Sequence, residues 1–194
     1  MSKLVVSKQL DADTCGATCA HAIHRYYKGR QSLGRVSRSV KKWPIGGTIM
    51  PLLGMWAANQ GYRTELWRSE GSKRHSGGYA APWVIWELLL DLFRDRGGAI
   101  AEESARTFIR RHLIKGHPLI AEISEQTLYH RKGDGHFVVI AAAGPEFVAI
   151  EDPYYVNKKT GSRSFEFPWP TFMRAMRSSA KTYGGCLLAF WPST

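Results

Sequence analysis

Apolar positions change period part-way along the chain. In the first half they recur at helical spacing. Ala17, Cys19, Ala20, Ile23, Tyr26 and Tyr27 follow a cap at Asp13 or Thr14 and stop at Gly29. Ser32 to Lys42 reads as a short basic helix before Trp43-Pro44. Thr48 caps a helix to about Gln60, with Pro51 in its first turn, Leu52, Leu53, Trp56 and Ala57 facing inward, and Gly61 at its end. Trp83 to Arg94 and Glu102 to Lys115 continue the helical set. Strand-like alternation marks Tyr62 to Trp67, and Leu4-Val5-Val6 reads as a short strand. From Pro118 onward short apolar runs dominate: Pro118 to Ile123, Val138 to Ile140, Phe147 to Ile150, Ser164 to Phe167 and Cys186 to Phe190. Helices first and an antiparallel sheet second predict an α+β domain.

The runs after His136 and before Glu151 flank Ala142-Ala143-Gly144-Pro145-Glu146, whose Gly-Pro pair marks a turn. With the hairpin centred on Gly144, His136 faces Asp152 across the pair, and opposed Cβ atoms lie ~4.5–5.5 Å apart. An imidazole and a carboxylate at that separation can hydrogen-bond. A one-residue slip would put them on opposite faces. Cys15 falls in the first turn of the first helix, where unpaired N–H groups and the helix dipole favour an anion. Gly16 leaves the sulfur open to approach. Gln9, six residues upstream, offers an amide to a developing oxyanion, beside the Cys15 backbone N–H. A nucleophile, a base, an orienting carboxylate and an oxyanion donor are the parts of a thiol acyl-transfer site.

Each part alone has a bland reading. A cysteine near a helix start is usually packing, a lone histidine is usually a core or surface residue, and Asp-Pro after a strand is usually a turn. The coincidence of four is what carries the catalytic reading. A zinc site from Cys15, Cys19 and His21 or His24 lacks a fourth ligand and any CxxC pair, so no metal and no cofactor are expected. Cys19 reads as a small core hydrophobe.

The ordered blocks resemble the C39 cysteine peptidases, papain-like domains that remove double-glycine leaders from bacterial bacteriocin precursors. The blocks are Gln9-x5-Cys15-Gly16-x2-Cys19, Tyr26-Tyr27-x-Gly29, Gly47-Thr48-x4-Leu53-Gly54, Gly116-x-Pro118, His136-Phe137-Val138-Val139 and Ile150-x-Asp152-Pro153. The resemblance implies a papain-like α+β fold, with Cys15 as nucleophile, His136 as general base and acid, Asp152 as orienter and Gln9 as oxyanion donor. It covers residues to about 67 and from about 113 to 155. Residues 68–100 read as an insertion in a single domain over 1–194, with no transporter domain. The same triad also serves side-chain amide hydrolysis or transglutaminase-like transfer, and a non-catalytic peptide-binding module is the third reading.

With 194 residues, 44% of them hydrophobic, the chain can bury a core unaided. No apolar run is long enough for a membrane span. The N-terminus lacks a signal h-region, and three cysteines argue for a reducing compartment, so a cytoplasmic location is expected, with non-classical secretion left open. The net charge of +11 is spread over many helix faces without a nucleic-acid motif. A peptide or protein substrate is expected, with an acidic one the sharper alternative, and nucleic acid is disfavoured. Gly71 to Tyr79 and Ser124 to Gly135 read as polar loops, the first a candidate lid or docking surface and the second a flank of the site.

Overall fold

A computed structural model describes residues 4–43, 47–69, 83–133, 135–180 and 186–193. Its helices are α1 (Cys15–Tyr26), α2 (Leu33–Ser39), α3 (Met50–Asn59), α4 (Trp83–Asp95), α5 (Ala105–Ile114), α6 (Glu125–Tyr129) and α7 (Trp169–Ala180). The strands β1 (Tyr62–Arg68), β2 (Ala99–Ala101), β3 (Leu119–Ser124), β4 (Gly135–Ala143), β5 (Phe147–Glu151), β6 (Ser164–Pro168) and β7 (Cys186–Pro192) form one sheet in the order β2-β1-β7-β3-β4-β5-β6.

Strand alternation divides the core. Cys186, Leu188 and Phe190 of β7, with Ile120 and Val139, pack against α1–α4; Leu187, Ala189, Ala121, Val138 and Ile150 pack against α5–α7. Helices therefore cover both faces of the sheet, which extends the expected layout of N-terminal helices on one side. The sheet is antiparallel except for β1 and β2, which run parallel and are joined through α4. A parallel pair needs such a crossover connection, and this unit occupies the segment read as an insertion.

Several local expectations are corrected. Leu4 to Val6 is not a strand, although Val6 is buried in the core. Thr48 does not cap α3: Ile49 precedes its first residue, and the Thr48 hydroxyl donates to the Lys41 carbonyl at 2.9 Å. The segment from Ser124 holds α6 rather than only loop, with Ser124 accepting from the Thr127 N–H. Helix α7 begins at Trp169-Pro170 and buries Trp169, Phe172, Ala175 and Met176. Proline is tolerated in a first turn because its missing N–H has no intrahelical partner there. The proposed loop Gly71 to Tyr79 lies outside the described residues.

Candidate active site

Helix α1 starts at Cys15 without a side-chain cap. The Thr14 hydroxyl instead accepts from the Leu10 and Asp11 N–H groups, at 3.0 and 3.1 Å, and so shapes the loop carrying Gln9. Gly16 is needed for packing more than for access. A Cβ there would stand 2.6 Å from Thr48 Cγ2 and 3.1 Å from Leu53 Cδ1 and Phe137 Cδ2, so the first turn is seated directly on α3 and β4.

His136 is the second residue of β4, and Asp152 lies one residue past β5. Their pairing is not the symmetric one. Val139 faces Glu151 and Ile140 faces Ile150, but beyond a bulge at Ala141 the partners become Ala142–Ala149 and Ala143–Val148. The ladder ends at Val139–Glu151, so His136 on β4 and Asp152 on the turn after β5 meet beyond it. His136 Nε2 lies 3.0 Å from Asp152 Oδ1.

Asp152 is wholly buried, and its carboxylate accepts from four donors. Oδ1 also accepts from the N–H groups of Tyr154 (2.7 Å) and Tyr155 (2.8 Å), and Oδ2 accepts from the Tyr129 hydroxyl at 2.6 Å. Burial alone would raise its pKa, but the His136, Tyr129 and backbone hydrogen bonds outweigh that and lower it. Burial likewise opposes the imidazolium of His136, yet hydrogen bonds to Asp152 and Cys15 and their negative charges push it up to about 10. Nε2 is committed to the carboxylate, which leaves Nδ1 for the Cys15 sulfur.

Gln9 is buried, and its N–H donates to the Pro153 carbonyl at 3.0 Å, tying its loop to the Asp152 turn. Its side-chain Nε2 donates to the Asp11 carbonyl at 2.7 Å, which uses one of the two amide hydrogens. Cys15 is buried, 9% exposed. Cys19 is fully buried, its thiol directed at the Phe137 carbonyl (3.4 Å) and kept protonated by burial and by the Cys15 and Asp152 charges. Cys186 is also fully buried, and burial, then Glu122, raises its pKa. His21 and His24 are buried on α1, with His24 Nδ1 2.7 Å from the Tyr62 hydroxyl. Among the described residues no three His, Cys, Asp or Glu side chains converge as metal ligands, and no helix is long and apolar enough to cross a membrane.

Of the residues singled out in the sequence, the structure joins His136 to Asp152 and Cys15 to His136. Sequence reasoning missed Tyr129 and the two N–H groups after Pro153. The Asp-Pro-Tyr-Tyr turn was the available signal for the latter; nothing local in the sequence pointed Tyr129 at Asp152.

The fold is similar to that of C39 peptidase domains. The chain superposes on a Bacillus anthracis protein assigned as a C39-like peptidase, with a TM-score of 0.62, 13% identity, and 100% of this chain and 98% of that one covered. It is also similar to a double-glycine-motif protease from an AMS/PCAT transporter, solved with its leader peptide (TM-score 0.55, 19% identity, 98% and 93% covered). A third is the peptidase domain of Streptococcus ComA, a bifunctional ABC transporter involved in quorum sensing (0.55, 13%, 98% and 100%). No protein-family model matches the sequence, and no curated protein matches it. At 13 to 19% identity the likeness is one of fold.

Proposed function

We propose that the protein is a cysteine peptidase acting through Cys15, His136 and Asp152. The observation that carries this is the buried chain of contacts from Asp152 Oδ1 through His136 to Cys15 at a helix N-terminus. The Cys15 sulfur attacks the scissile carbonyl carbon, forming a C–S bond and an oxyanion. The Cys15 N–H and the second hydrogen of the Gln9 amide receive that charge; a donor of this kind contributes roughly 2.7–4 kcal/mol in acyl transfer. Collapse expels the amine, which takes its proton from His136 Nδ1. Neutral His136 then draws a proton from water, whose oxygen attacks the thioester and releases Cys15. Asp152 takes no proton: with its oxygens occupied by four donors, it orients His136 and stabilises the imidazolium.

The recessed thiol favours small residues beside the scissile bond, and the fold is shared with a double-glycine protease, so Gly-Gly is the first sequence to test. An acidic substrate segment fits the net charge of +11. The test is mass-spectrometric profiling of a peptide library containing Gly-Gly sites, with wild type and Cys15→Ala. Backbone cleavage by wild type alone is expected. Cleavage that survives in Cys15→Ala refutes the assignment, and a heavier but uncut product would mean side-chain amide hydrolysis instead.

A further inference from the structure

Among the described residues, the two oxygens of Asp152 are held unequally. Oδ1 has three donors, two of them backbone N–H groups, whereas Oδ2 has the Tyr129 hydroxyl alone. Resting on the reading of Cys15, His136 and Asp152 as one catalytic unit, we infer that Tyr129 is a positioning residue for that unit. Its hydroxyl anchors Oδ2 so that Oδ1 stays aimed at His136 Nε2.

The reasoning starts from a torsion. The carboxylate hangs on a broad sp³–sp² rotor with no steep well of its own. Both oxygens turn together on that rotor, so the three donors on Oδ1 and the Tyr129 hydroxyl on Oδ2 hold the group at both ends, and loss of the Tyr129 bond loosens the aim of Oδ1 at the imidazole. Tyr129 suits the task because it is itself fixed. It closes α6, and its ring lies against Tyr155, Phe165 and Phe167, with centroids 4.5, 5.6 and 5.9 Å away. Burial first, and then the charge of Asp152, push the phenol pKa far up, so the hydroxyl stays a donor at every working pH.

The other ionisable groups around the carboxylate have different engagements. Cys15 and Cys19 approach from α1, where Cys15 bonds His136 and Cys19 the Phe137 carbonyl. Glu125 of α6 takes the Tyr155 hydroxyl, and Arg131 lies 4.9 Å over the Tyr155 ring. Arg163 donates to the Pro153 carbonyl at 2.9 Å. Tyr129 is thus the side chain that reaches Oδ2. Asp152 is wholly buried, which keeps solvent from taking its place.

Tyr129→Phe tests this, because it keeps the ring and deletes only the hydroxyl. The Asp152 carboxyl midpoint is read by ¹³C NMR, and the rate of Cys15 alkylation by iodoacetamide is followed against pH. A hydrogen bond to a charged group of ordinary strength corresponds to a rise of about one to two pH units in that midpoint. The acid limb of alkylation moves in the same direction. A lowered Tm with an unmoved midpoint and acid limb would make Tyr129 a packing residue and overturn the inference. Asp152→Asn, measured alongside, separates the two levels. If it leaves His136 titration and Cys15 alkylation unchanged, the catalytic unit itself fails. If it alters them while Tyr129→Phe does not, only the role of Tyr129 fails.

Discussion

Replacing Asp152 with Asn removes one charge from a closed pocket while keeping the shape of the side chain. His136 is 4% exposed, so its imidazolium gains little from solvent and depends on Asp152 and Cys15. Its rise from the ordinary 6.5 to about 10 corresponds to about 5 kcal/mol favouring the protonated ring, at 1.36 kcal/mol per unit. In the variant the carboxylate charge and its charge-assisted hydrogen bond are gone, while burial and the Cys15 contribution remain. His136 is then expected to titrate well below its wild-type value. The assay is a long-range ¹H–¹⁵N correlation of the imidazole nitrogens across pH: wild type remains imidazolium through pH 8, and Asp152→Asn loses the proton at a lower pH.

The same shift predicts a stability profile. Between 6.5 and about 10 the native state keeps a proton that the unfolded chain has released. This contribution is therefore whole below 6.5 and is lost as pH rises through about 10. Asp152, with its lowered pKa, works from the other side: its contribution is present above the ordinary carboxylate value and is lost as pH falls through the folded value. Urea unfolding of wild type should show an alkaline decline that sets in at lower pH in Asp152→Asn. A wild-type His136 that titrates near 6.5, or a midpoint unmoved by the substitution, would refute the reasoning.

Two further expectations concern the scaffold. Gly16→Ala forces a methyl group to within 2.6 Å of Thr48 Cγ2, an overpacking that costs about 1–3 kcal/mol. Its Tm should fall by roughly 2–4 °C for each kcal/mol, with slower Cys15 alkylation as the first turn shifts; an unchanged Tm would show that α1 is not seated so tightly. His112 is buried on α5, with Nε2 3.0 Å from Glu65 Oε2, and burial, then the charge of Arg111, lower its pKa to about 4. The unfolded chain binds a proton between 6.5 and 4 that the native state refuses, so up to about 3 kcal/mol of stability is lost as pH falls through that range. His112→Gln should flatten that limb, and an equally steep acid decline in the variant would count against it.

The elements legible in the sequence were those long enough to show a period. Helix α1 repeats its apolar positions over twelve residues, and the runs of β4 and β5 bracket an evident Gly-Pro turn. Helix α6 spans five residues, too few to distinguish a turn of helix from polar loop, and Pro168-Trp169-Pro170 masked the start of α7. Strand β2 is three residues on an edge, and its parallel pairing depends on a crossover that no local pattern announces. The site was more legible than the fold because its residues occupy element ends. Cys15 opens α1, His136 is the second residue of β4, and Asp152 follows β5. Such positions are marked by Thr, Gly and Pro, and there side chains leave the ladder and can meet. The register was still misjudged. Nothing in Ala141-Ala142-Ala143 shows which residue bulges, because the bulge answers to packing on both faces of the sheet. At Val139–Glu151 the assumed pairing is off by two, an even error that leaves the face unchanged, and beyond Ala141 it is off by three, which exchanges the faces of the turn-side residues.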